Sequence, residues 1–224
     1  MTGAPHRHFH DELAELKDRL LHMSSRVEEA VGRAVKALLD RDGETAADVI
    51  RMDREIDALE MEIENRVTQL LALQQPMAKD LRLLLASLKI SNDLERMGDH
   101  AVNIAESAQR LVDAVPVTPA PELVDMARRA REMLSAALTA FIKSDAAGGR
   151  AVCMQDDYVD ALYRSLFRIL LTHMAEDPRT ISAAMEVSTV SRNLERIADL
   201  ATNIGEDVVF LRSEEHTSEL QSQF

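Results

Sequence analysis

The sequence predicts an all-α fold of six long antiparallel helices, arranged as two tandem, duplicated three-helix bundles. Three observations carry that expectation. Helix formers dominate, while aromatic residues make up 3% of the 224 residues and Trp is absent, a composition that favours helix over strand. Apolar residues recur at spacings of three and four, the period of one helix face. Polar residues of the second half repeat those of the first in register.

The first apolar run is Leu13, Leu16, Leu20, Met23, Val27, Ala30, Ala34 and Leu38, closed by the turn signal Asp40-Arg41-Asp42-Gly43. The second is Val49, Met52, Ile56, Leu59, Ile63 and Leu70. It stops at Gln75-Pro76, because proline disfavours helix in the residue before it. The third runs from Ala78 through Leu94, Met97, Ala101, Ile104 and Ala108 to Leu111, completing a first repeat over residues 1–115. Residues 116–121 hold Pro116, Pro119 and Pro121 and read as a linker.

The second repeat, residues 122–211, begins with Leu123, Met126, Ala130, Met133, Ala137 and Ala140. Ala146-Ala147-Gly148-Gly149 reads as the break after it. The fifth run, Val159, Leu162, Leu166 and Ile169, ends near Asp177-Pro178, and the sixth is Leu194, Ile197, Ala201, Ile204, Val208 and Leu211. Short connections between such helices are the sequence form of an antiparallel bundle.

The net charge of −13 argues against a nucleic-acid partner, since such affinity rests on Lys and Arg displacing counterions. It equally disfavours adsorption to anionic lipid. No stretch has the roughly 20 apolar residues that span a bilayer, so any membrane role runs through partners. One cysteine, Cys153, permits no intrachain disulfide and fits a reducing, cytoplasmic location. It aligns with Ile50 and reads as a small core residue. The alternating His6, His8 and His10 read as a flexible, solvated start.

The duplication is specific. Leu94-Glu95-Arg96-Met97-Gly98-Asp99-His100-Ala101-Val102-Asn103-Ile104-Ala105-Glu106 aligns with Leu194-Glu195-Arg196-Ile197-Ala198-Asp199-Leu200-Ala201-Thr202-Asn203-Ile204-Gly205-Glu206, with eight of thirteen positions identical and five of those eight polar. A shared hydrophobic period does not produce polar matches. Upstream, Asp53, Asp57, Ala58 and Leu59 match Asp156, Asp160, Ala161 and Leu162.

Each half therefore carries two acidic i, i+4 pairs: Asp53/Asp57 with Glu95/Asp99, and Asp156/Asp160 with Glu195/Asp199. Residues four apart share a helix face, and like charges so placed cost a helix a few tenths of a kcal/mol. Neighbouring helices would converge four carboxylates on one patch, a hard-oxygen set suited to Mg, Ca, Mn or ferric iron. Plain solvated acidic faces, screened by Arg54, Arg96 and Arg196, are the competing reading; repetition in register favours a site. Asn103, Asn203, Glu106 and Glu206 lie one to two turns on, as additional ligands or, for the asparagines, as interhelix hydrogen bonders. His100 has Leu200 as its counterpart and reads as an exposed neighbour.

The blocks L-E-R-M-G-D and L-E-R-I-A-D, each followed by A-x-N-I, resemble the signature of the PhoU family of phosphate-transport accessory proteins. Gln75-Pro76-Met77-Ala78-Lys79-Asp80-Leu81-Arg82 resembles the Q-P-x-A-x-D-L-R stretch that precedes it. The resemblance spans residues 8–211. It implies side-by-side three-helix bundles, a multinuclear iron or zinc cluster on the paired carboxylates, and a homodimer. It further implies negative control of phosphate uptake and starvation signalling, as an adaptor between the ATPase subunit of a phosphate ABC transporter and a sensor histidine kinase.

A carboxylate-bridged metal oxidoreductase is the enzymatic alternative. That class uses E-x-x-H motifs, and none of the seven histidines has Glu three residues before it. Phosphate-loop and nucleophile-elbow motifs are absent too, so a non-enzyme is expected, with a metal-free helical scaffold as the third reading. Residues 212–224 stand apart. Arg212 to Ser222 abandons the apolar period and matches the translation of a sequencing-library adapter, so a non-native tail is expected there. Without it the net charge is −11 and the exclusions above stand.

Overall fold

The computed structural model describes the backbone of residues 4–115 and 120–221 and the side chains of residues 9–115 and 120–211. The linker reading at 116–119 lies outside the described residues, as do the side chains of His6, His8 and the 212–224 tail. Among the described residues seven helices form six rods: α1 (Ala4–Asp40), α2 (Gly43–Gln74), α3 (Ala78–Leu111), α4 (Pro121–Lys143), α5 (Ala146–Cys153), α6 (Asp156–Glu176) and α7 (Ile181–Gln221). A 3-10 turn, Pro178–Thr180, joins α6 to α7. No described residue lies in a strand.

The N-terminal reading needs correction. Helix α1 begins at Ala4 and buries Phe9, one turn before the first apolar position identified from sequence. The backbone of α7 likewise stays helical to Gln221, past the point where the apolar period ends.

The turns are duplicated as well as the helices. After α1, Arg41 enters the left-handed region (φ 56°) and Asp42 caps α2, accepting hydrogen bonds from the Glu44 and Thr45 amides at 3.0 Å. After α4, Ser144 does the same (φ 52°) and Asp145 caps α5 through the Ala147 amide at 3.0 Å. An N-cap carboxylate satisfies amides that the helix leaves without partners. The Asp145 cap corrects the expected break: Ala146-Ala147-Gly148-Gly149 is helical, and the turn precedes it.

The actual interruption lies at Met154–Gln155, between α5 and α6. There the Met154 amide bonds back to Arg150 (3.2 Å) but the Gln155 amide to Val152 (2.9 Å). Bonding tightens from four residues to three, which ends one helix and re-aims the next. The equivalent stretch of α2 is continuous.

Within the first half α1, α2 and α3 pack together; within the second, α4, α6 and α7 do, with α5 between α4 and α7. The halves meet along α3–α7 and α1–α4. Cross-contacts fix α3 and α7 as antiparallel: Lys89 to Asp207 (2.6 Å), His100 to Asn193 (2.8 Å) and Arg110 to Glu186 (2.9 Å). The buried apolar residues form one continuous cluster across both halves. Two sequence repeats thus share one core, and the signature blocks face each other at the middle of the α3–α7 pair.

Candidate metal centre

The structure sets Asp53 and Asp57 on α2 beside Glu95 and Asp99 on α3, and Asp156 and Asp160 on α6 beside Glu195 and Asp199 on α7. Each predicted quartet lies together on its own helix pair. Gly98 permits this approach in the first half: a Cβ there would stand 3.1 Å from Ile56 Cδ1 and 3.4 Å from Asp53 Oδ1.

The carboxylates of the first quartet act on one another electrostatically. Burial, then the charges of Asp57 and Asp99, pushes the Asp53 carboxyl up to about 6. Burial, then Asp99, Glu60, Asp57 and Asp53, pushes Glu95 up to about 7. Glu60 is a member that sequence reasoning missed. It reaches across to Asn92 at 3.5 Å, and its counterpart in the second half is Tyr163, so the duplication hid it.

The second patch is partly compensated. Burial and Asp199 raise Asp156, and burial and Asp199 raise Glu195 against the opposing charge of Arg196. Arg196 contacts Asp199 at 3.0 Å and Glu195 at 3.6 Å, and Arg164 contacts Asp160 at 3.0 Å. In the first half Arg96 turns to Asp93 (3.4 Å), and Arg54 makes no ion pair among the described residues. Expected screening by arginine thus holds for Arg196 and fails for Arg54 and Arg96.

These carboxylates are patches, not closed coordination shells. Among the described residues no three His, Cys, Asp or Glu side chains are drawn together closely enough to grip an ion as they stand. Mutual repulsion of like charges is the physical reason. The donor set nonetheless suits a hard cation: oxygen ligands on rigid helices, five of them mutually unscreened in the first patch. Beside Asp156, the Thr202 hydroxyl is shielded from solvent and lowers the Asp156 carboxyl against the rise that burial and Asp199 impose. Asp53, Asp57, Glu95 and Asp99 would hold one ion or cluster, and Asp156, Asp160, Glu195 and Asp199 another.

Four neighbours differ from expectation. His100 is half-buried, and its Nδ1 meets the buried Asn193 Oδ1, joining the two halves. It also lines an open cleft of about 370 Å³ with Arg96, Arg196, Asp156 and Asp199. Asn103 and Asn203 are exposed and make no hydrogen bond among the described residues; Asn193 has the interhelix role instead. Cys153 is half-buried with its Sγ 3.9 Å from the Thr202 carbonyl.

The raised acids set a pH dependence. In the unfolded chain Asp53 and Glu95 ionise near 3.8 and 4.5; in the fold, near 6 and 7. Between these limits the folded state holds protons that the unfolded state has released, so stability falls as pH rises and levels off above about 7. Solvent screening at a half-exposed patch holds the loss to about 1 kcal/mol, or about 2–4 °C in melting temperature. Melting curves from pH 4.5 to 7.5 in chelator should show that decline, and Glu95→Gln should flatten it.

An internally duplicated six-rod bundle with a carboxylate patch on each half defines a class of tandem-repeat helical-bundle proteins. The PhoU domain matches residues 20–108 and 123–208, and the chain belongs to that family. It is 42% identical to a phosphate-specific transport system accessory protein PhoU homolog of Aquifex aeolicus, over 83% of this chain and 84% of that one. A protein of the same name from Caulobacter vibrioides is 40% identical over 98% and 96%. The crystal structure of PhoU from Pseudomonas aeruginosa superposes with a TM-score of 0.86 at 37% identity, covering 92% of this chain and 99% of that one.

Proposed function

We propose that this protein is a cytoplasmic, non-enzymatic accessory of a phosphate transport system that restrains phosphate uptake and phosphate-starvation signalling. It acts as a metal-binding adaptor between the ATPase subunit of the phosphate ABC transporter and a sensor histidine kinase, and works as a homodimer. The observation that carries the reading is full-length similarity to phosphate-specific transport accessory proteins, covering both repeats. No described helix is long and apolar enough to cross a membrane, so contact with a transporter would be made through its protein subunits.

The carboxylate patches supply the metal component. A bound iron, zinc, manganese or magnesium ion would supply positive charge that relieves repulsion among Asp53, Asp57, Glu95 and Asp99. The carboxylates themselves would lock α2 to α3, and Asp156, Asp160, Glu195 and Asp199 would lock α6 to α7, giving a partner a rigid surface. Both patches lie at the helix surface, which disfavours the oxidoreductase alternative: its ligands project into the bundle core and include E-x-x-H histidines.

Deletion of the gene in phosphate-rich medium should release phosphate uptake and starvation genes from repression, and the wild-type chain should restore it. The ATPase subunit should co-purify with the tagged protein. Unchanged regulation in a strain with no second copy would refute the proposal.

A further inference from the structure

The stretch Lys79-Asp80-Leu81-Arg82, singled out in the sequence but unused by the carboxylate patches, lies at the other end of the described α3. There α1, α3, α4 and α7 enclose a small cleft of about 60 Å³. Its floor is apolar, formed by Leu83, Phe141, Val208 and Leu211, and three cationic residues line it: Lys17 from α1 with Lys79 and Arg82 from α3. In a chain of net charge −13 such a concentration is unusual.

Arg82 carries the argument. Its Nε is shielded from solvent without a hydrogen-bond partner, and the side chain makes no ion pair among the described residues. Guanidinium groups have five donors in a planar fork matched to oxyanions. Leaving a charged donor buried and unmet is costly, so an acceptor is called for. Lys17 has a bland alternative as a cap for the α4 C-terminus, since its Nζ reaches the Ile142 carbonyl. That contact, at 3.5 Å, is marginal and uses one of three ammonium donors. Asp18 and Asp80 pair with neither Lys17 nor Arg82 among the described residues. Helix α3 starts at Ala78 with no side-chain hydrogen bond from its N-cap Met77, so its positive end lies within about one turn of Lys79 and Arg82.

We propose that this cleft binds a small tetrahedral oxyanion of the inorganic phosphate class, held by Arg82 and Lys17 with Lys79 at the mouth. The volume is on the scale of one such ion. The site is separate from the carboxylate patches and does not rest on their binding metal.

Equilibrium dialysis of the full chain against labelled inorganic phosphate, in low-salt buffer with chelator, tests it. Chelator removes phosphate held through any metal. We expect saturable uptake of about one ion per chain, displaced by sulfate but not by chloride at equal ionic strength. Arg82→Gln and Lys17→Gln should each weaken binding about tenfold, the scale of one charge-assisted contact, and the double variant should abolish it. Arg128→Gln, an exposed cation on α4, should leave it unchanged. Melting temperatures establish that each variant is folded, and Lys17→Gln serves should Arg82→Gln not fold. No saturable uptake, equal uptake by the folded double variant, or displacement by chloride overturns the proposal.

Discussion

Adding a hard cation such as Mn²⁺ or Mg²⁺ to chelator-treated protein should raise its melting temperature by about 5–10 °C once the ion reaches a hundredfold excess over its dissociation constant. A ligand that binds only the folded state stabilises it by about 2.7 kcal/mol at that concentration, and a protein of this length shifts by about 2–4 °C per kcal/mol. The sign of the variants is the sharper test. Glu95→Gln removes a carboxylate that burial and four acidic neighbours push up to about 7, so at pH 7.5 it should raise the metal-free melting temperature while erasing most of the cation increment. Glu195→Gln should do less of both, because Arg196 and Arg164 already offset the second patch. A lower metal-free stability for Glu95→Gln, or no increment with Mg²⁺, Mn²⁺, Fe³⁺ or Zn²⁺, would remove the basis for a metal centre.

That asymmetry shows where sequence reasoning stops. Helix faces were legible because burial imposes a period: the positions from Leu13 to Leu38 and from Leu123 to Ala140 are all buried. The quartets were legible because identical polar residues recurred in register. What lay between repeats was not. Glu60 has no acidic counterpart, so a search for duplicated features passes over it. His100 looked exposed because its twin is Leu200, yet the two repeats meet antiparallel along α3 and α7 and its partner is Asn193. An interface between halves places unlike residues opposite each other, and no comparison of the repeats reveals it. Gly148-Gly149 looked like a turn because glycine weakens helices; the Asp145 cap and a close helix crossing explain its place inside one.

That crossing yields the second large effect. A Cβ on Gly149 of α5 would lie 2.6 Å from the Gly205 carbonyl oxygen of α7, and a Cβ on Gly205 would lie 2.9 Å from the Gly149 carbonyl. Both contacts are with backbone, which cannot rotate away, so Gly149→Ala must push two helices apart. Overpacking of this kind costs about 1–3 kcal/mol, against about 1 kcal/mol gained from replacing glycine in a helix. We expect a net loss of up to about 2 kcal/mol, read as a melting temperature lower by up to several degrees. Gly98→Ala is the control. Its nearest contacts are Ile56 side-chain atoms at 3.1 and 3.2 Å, which can shift, so helix propensity should leave it neutral or slightly stabilised. The first half carries buried Ala46 and Ala105 at the positions equivalent to Gly149 and Gly205. Once Gly149→Ala has separated α5 from α7, Gly205→Ala should cost little more, and a double-mutant cycle should show the two losses to be less than additive. Full additivity would mean that the helices do not move as a unit when either glycine is replaced.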